Sequence, residues 1–141
     1  MSTQHERILD FSRLFNSAPA PYIVVDREFR IVAATDSFLA PAGRKREDIL
    51  GKVITDEFGD NPDDPDANGT EVLSTALKRV LTERTGHTLP VQRYDIEIDG
   101  RFEERYWQPL NEPVFGDDGE VEYIIHGVQD VTSSTKKARS A

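Results

Sequence analysis

Along the first sixteen residues the apolar positions fall at Ile8, Phe11 and Phe15, with Leu14 beside them and Leu9 off the stripe. That i, i+3, i+7 spacing predicts an amphipathic helix over residues 3–16. NSAPAP then stops it, because Pro19 and Pro21 cannot continue a helix. The pattern turns β-like in YIVVD (22–26) and RIVAAT (30–35), and the short REF between them reads as the turn of a hairpin. DSFLAPAG and RKREDILGK read as single helical turns broken by Pro41, Gly43 and Gly51. VITDEFGDNPDDPDANG is an irregular, acidic connection.

The clearest helix follows. Val72, Leu73, Ala76, Leu77, Val80 and Leu81 form one continuous apolar face. Asn68 is placed to cap it, with Glu71 three residues on as in a capping box, and Gly86 sits where a C-terminal stop belongs. After Gly86 the period changes to that of strands. Residues 88–98, 102–115 and 120–131 are three long β-like runs, separated by DG at 99–100 and GDDG at 116–119. Two strands, then helices, then three strands predict an α+β fold: one antiparallel sheet with helices on a face.

Composition narrows the function classes. The chain has 141 residues, enough for one domain with a core. It has no cysteine, which excludes disulfides, thiolate metal sites and thiol-based cofactor attachment. A net charge of −9 argues against a nucleic-acid partner, because phosphate contacts need a basic face. No apolar run approaches the ~18 residues of a membrane span, and the N-terminus lacks the apolar stretch of a signal peptide. A cytoplasmic protein that contacts neither nucleic acid nor membrane is the expectation.

Motifs for chemistry are sparse. DPDANG (64–69) imitates the start of a calcium loop, but the twelfth position, where a bidentate Glu belongs, is Thr75, and Pro65 stiffens the second. His5, His87 and His126 follow no metal-ligand spacing. There is no phosphate-binding glycine loop and no nucleophile elbow. Glu103 and Glu104 alternate faces in a strand and cannot act as a dyad.

The element order and several motifs resemble the PAS sensory domain. SAPAPYIVVDREFRIVAAT (17–35) is similar to its first hairpin, REDILGK (46–52) to its short Leu-Gly segment, and PVFGDDGEVEYIIHGVQDVT (113–132) to its last hairpin and exit. DNPDDPDANG, VQRYDI, FEERYWQPLNEPVF and YIIHGVQDVT are closer still to PAS domains at the front of bacterial sensor histidine kinases. The resemblance implies a five-stranded antiparallel sheet with small helices and one long helix on one face, enclosing a small cavity. It implies three parts: an N-terminal dimerisation helix (1–16), the sensory domain (17–132) and a C-terminal tail or linker (133–141). A homodimer through the N-terminal helix is implied, with a histidine kinase or response-regulator component as partner in cis or in trans. Without a cysteine, neither a flavin–thiol adduct nor a coumaroyl chromophore is expected. Residues 69–85 contain no histidine for a haem axial ligand, so haem is not expected either, and the cofactor stays unknown. Where the subgroup's last strand reads IIHRVEDVT, this chain has Gly127 and Gln129 in place of a cation and a carboxylate.

By the same resemblance, the inward face of the last strand is that of Ile124, His126 and Val128, since alternate residues share a face. The preceding strand then sends Arg105, Trp107, Pro109 and Asn111 inward. Arg93 and Asp95 are further candidates, in competition with Tyr94, Ile96 and Ile98 for that orientation. The expected ligand-binding residues are therefore His126, Trp107, Arg105, Asn111, Arg93 and Asp95, with none catalytic. Each has a plainer reading: His126 as a hydrogen-bonded core residue, Trp107 as packing, Arg105 as the partner of Glu103 or a cross-strand acid. Two other functions remain open at this point. One is an interaction module whose interior is filled by Trp107, Phe38 and Leu73. The other is a cone-shaped α+β isomerase or dehydratase with His126 as general base, which the mid-chain position of the helices disfavours.

Overall fold

The computed structural model describes residues 9–140, and the side chains of residues 9–138. Its first helix, α1 (Phe11–Asn16), is shorter than the expected 3–16. Asp10 starts it, its carboxylate accepting from Arg13 N at 3.0 Å, so Leu9 and Asp10 precede the helix. Residues 3–8, including Ile8, lie outside the described part.

The hairpin forms as expected, β1 (Tyr22–Val25) against β2 (Ile31–Ala34). Asp26 shapes its turn: one carboxylate oxygen accepts from both Glu28 N and Arg30 N at 3.0 Å. Four helices follow: α2 (Asp36–Ala42), α3 (Arg46–Ile49), α4 (Ile54–Glu57) and the long α5 (Gly69–Glu83). The fully buried Thr35 ties the hairpin to α2. Its hydroxyl donates to Ala20 O at 2.6 Å and accepts from Tyr22 N and Phe38 N at 3.0 and 3.3 Å.

The ends of α5 differ from the expected caps. Asn68 makes no side-chain cap; Asp60, eight residues upstream, accepts instead from Thr70 N at 3.0 Å and Thr70 Oγ1 at 2.7 Å. The helix stops at Arg84, which takes the left-handed conformation at φ 55°, before Gly86 is reached.

The three long runs resolve into six strands. The first breaks around Pro90 into β3 (His87–Thr88) and β4 (Gln92–Arg93). A separate small hairpin follows, β5 (Ile96–Ile98) with β6 (Arg101–Glu103), turned by Asp99 and Gly100, both at positive φ. Then come β7 (Tyr106–Phe115) and β8 (Val121–Asp130). The sheet order is β2-β1-β8-β7-β3, with β4 on the same side of β7 further along. It is antiparallel with five strand positions, the last split in two: the expected α+β arrangement. The tail is helical, α6 (Thr132–Ser140).

One sheet face and α5 make the core. Ile23, Val25, Ile31 and Ile124 pack with Leu73, Leu77 and Val80, closed by Ile49 and Ile54 of the short helices. Burying each such side chain stabilises by about 1.5–3 kcal/mol, so this layer fixes which face of β8 turns inward.

Candidate functional site

Between the sheet and α2–α5 lies a cavity of about 370 Å³, within the range of small-molecule pockets. His126, Trp107 and Pro109 line its sheet side. Phe38, Phe58 and Leu73 line the helical side, with the Phe38 and Phe58 rings edge-to-face at 5.6 Å. The space that a pure interaction module would fill with Trp107, Phe38 and Leu73 is open, and those residues form its walls.

His126 is held by register. It sits directly opposite Asn111 on β7, and opposed residues share a face. Their side chains meet, His126 Nδ1 to Asn111 Oδ1 at 2.7 Å. With the Asn111 amide oxygen facing the ring, an orientation that leaves Asn111 Nδ2 buried without a partner, the ring carries its proton on Nδ1 and Nε2 is a bare acceptor. Burial penalises the charged form and lowers the pKa to about 4, so the ring is neutral near pH 7. Asn111 is fully buried and off the cavity wall: it positions the histidine.

Trp107 presents its ring to the cavity while its Nε1 donates to Tyr94 O at 2.7 Å, fastening residues 94–95 to the sheet. Asp95 reaches the cavity wall and is buried. Burial alone would raise its pKa, but hydrogen bonds from Arg93, Asn61 and Arg105 N outweigh it and hold the carboxyl below its ordinary value. The expected competition between Asp95 and Tyr94 does not arise. Neither residue is in a strand, so strict alternation lapses and both line the cavity.

Two further candidates, like Asn111, lie off the cavity wall. Arg93 is half-exposed and clamps Asp95 with two hydrogen bonds of 2.9 Å, with Asp64 at 3.5 Å; the Asp95 bond raises its pKa further. Arg105 precedes β7, so the alternation that turns Trp107 inward does not reach it. Its guanidinium lies near Glu103 at 3.4 Å and Asp130 at 3.6 Å, outside the cavity wall.

The lining also includes residues not expected as ligand contacts, among them Gln92, Tyr94 and Arg44. Gln92 pairs with Trp107 across the sheet, so an inward Trp107 brings Gln92 inward, a signal that exists only once the register is known. Tyr94 donates its hydroxyl to Phe58 O and lies against Gly69, where a Cβ would come within 2.5 Å of its ring. Burial raises the Tyr94 pKa. Arg44 bridges the cover: it donates to Glu97 O at 2.7 Å and Ala42 O at 3.0 Å, pairs with Glu57 at 3.4 Å and lies over the Phe58 ring.

A small cavity thus lies between a five-position sheet and a helical cover. The chain matches the family model of the PAS fold over residues 15–136 and belongs to that family. It is similar to the PAS domain of BvgS from Bordetella pertussis, with 26% identity over 99% of this chain and 94% of that one, and a TM-score of 0.61. A sensory box sensor histidine kinase from Vibrio cholerae matches at 21% identity over 86% and 89%, with a TM-score of 0.59. The LOV protein of Rhodobacter sphaeroides shares the fold at 18% identity over 93% and 69%, with a TM-score of 0.64. No curated protein matches the chain. Among the described residues no helix is long and apolar enough to cross a membrane, and no cluster of His, Asp or Glu could hold a metal ion.

Proposed function

We propose that this PAS domain is a cytoplasmic sensor. It binds a small molecule between sheet and helices, works as a homodimer and passes its state to a histidine kinase or response-regulator component. The observation that carries the reading is the open cavity with the neutral His126 on its floor. Trp107 and Asp95 are the further ligand contacts, and Asn111 and Arg93 position them.

The exit from the cavity supports a relay. Asp130 lines the cavity, and its carboxylate accepts from Thr132 N at 2.9 Å at the start of α6. Thr132 Oγ1 in turn accepts from Tyr106 N at 2.9 Å on β7. A ligand that prefers one arrangement of Asp130 therefore also selects a setting of α6. For the dimer, the support is apolar surface: Leu9, Phe11 and Leu14 are 56, 71 and 55% exposed on and before α1, which lies beside β2 and its exposed Val32. The likeness to PAS domains of sensor kinases supports the choice of partner.

An isomerase-type reading is not favoured. The Nδ1 partner of His126 is an amide, not a carboxylate, and a base with a pKa of about 4 is poorly matched to neutral pH.

The reading is tested by a thermal-shift screen of small metabolites. Emission from Trp107, the chain's single tryptophan, serves as the direct readout. A hit is expected to raise Tm and shift the emission, and to lose both effects in His126→Ala. A hit that binds His126→Ala equally removes His126 from the site, and a library without hits removes the ligand.

A further inference from the structure

We propose that the cavity takes an uncharged, flat molecule of about two fused rings, with a hydrogen-bond donor at the end that meets His126 and an acceptor at the end that meets Gln92. This rests on the cavity being a ligand site and names the ligand's chemistry.

The polar groups of the wall carry the inference, because most are already engaged. The Trp107 indole and the Tyr94 hydroxyl donate to backbone carbonyls. Ser37 Oγ donates to Ala18 O, and Asp95 accepts from Arg93, Asn61 and Arg105 N. Arg44 is held by Glu57 and two carbonyls. Among the described lining side chains that are not exposed, two residues keep an unengaged polar atom, His126 and Gln92. His126 Nε2 makes no hydrogen bond and, with the proton on Nδ1, can only accept. Gln92 Nε2 is buried, has no partner and can only donate. A buried donor without a partner costs ~1–3 kcal/mol, a cost that a ligand acceptor would remove.

Shape and charge narrow the class. His126 and Gln92 flank β7 opposite Asn111 and Trp107, four residues apart. Strand geometry sets their backbones about 13 Å apart along the sheet and about 10 Å across it, before the side chains lean inward. A molecule that meets both is elongated. Aromatic rings on the helical side (Phe38, Phe58) and the sheet side (Trp107) favour a flat one. The lining includes five carboxylates, Asp56, Glu57, Asp95, Glu97 and Asp130, against the single cation Arg44. An anion entering there meets repulsion that a neutral molecule avoids.

Three fluorescent probes test this by titration against the whole chain. The first is a hydroxy-acetonaphthone with hydroxyl and ketone at opposite ends of the naphthalene. The second is its methyl ether, which lacks the donor. The third is the hydroxy-naphthoate, in which a carboxylate replaces the ketone. The first is expected to bind best, with the methyl ether roughly tenfold weaker and the naphthoate weaker again. His126→Phe should lower the first probe to the affinity of its methyl ether and leave the ether unchanged, and Gln92→Leu should weaken the first roughly tenfold. Equal binding of all three to the unaltered chain, or tightest binding of the naphthoate, overturns the proposed chemistry while leaving a ligand cavity in place. Binding of none overturns both.

Discussion

His126 is buried at the cavity wall, and its burial has a measurable consequence. Its pKa drops from 6.5 to about 4 because the charged ring loses water. A depressed histidine leaves the unfolded chain holding the extra proton between those values, so stability rises with pH across that window and is lost as pH falls from 6.5 toward 4. The contribution is roughly 3 kcal/mol. Urea unfolding of the unaltered chain is expected to weaken over that interval, and His126→Phe should lose that component of the slope. Identical pH slopes in the two proteins would mean the ring is solvated. Gly127 shows what single residues hide. As a departure from the subgroup pattern it reads as a lost charge. In the fold it faces Tyr22 across β1, and a Cβ there would sit 3.1 Å from the tyrosine ring. The missing side chain lets that ring cover the strand, which no local pattern announces.

Element types were legible wherever a period ran long enough. The face of α5, the first hairpin and the β7–β8 pair all follow from spacing alone. Boundaries set by tertiary contacts were not. Asp60 caps α5 from a loop eight residues before Asn68, so a tertiary contact takes the place of the local candidate. Asp60→Ala is expected to destabilise the fold by about 1 kcal/mol in chemical unfolding, with Asn68→Ala nearly silent; the reverse ranking would restore the local capping box. The run 88–98 looked continuous because its residues are β-like, yet Pro90 offers no N–H to the ladder, and the segment breaks on either side of it. The same kind of break before β7 put Arg105 outside the cavity while leaving Trp107 inside. Candidate residues inside unbroken strands, His126, Trp107 and Asn111, all point to the inward face. Of the others, Arg93 and Arg105 lie off the cavity, and Asp95 reaches it from an irregular segment.

At the scale of the molecule, the order of elements predicted an α+β sheet with helices on a face, and the motifs SAPAPYIVVDREFRIVAAT, REDILGK and PVFGDDGEVEYIIHGVQDVT in that order carried the resemblance to the PAS domain. The cavity was not visible as such: an open interior and one filled by Trp107, Phe38 and Leu73 share the same hydrophobic pattern, and only the packing separates them. The apolar residues exposed at α1, Leu9, Phe11 and Leu14, are the proposed seat of assembly. Removing residues 1–16 should yield monomers by light scattering, and a persisting dimer would place the interface on another face. The proposed function requires that the space above His126 and Trp107 hold a molecule. Native mass spectrometry of freshly purified chain tests it most directly. A small molecule retained by the folded chain, released on unfolding and absent from His126→Phe, is the expected result. The bare chain mass under gentle conditions, identical in both proteins, would contradict it.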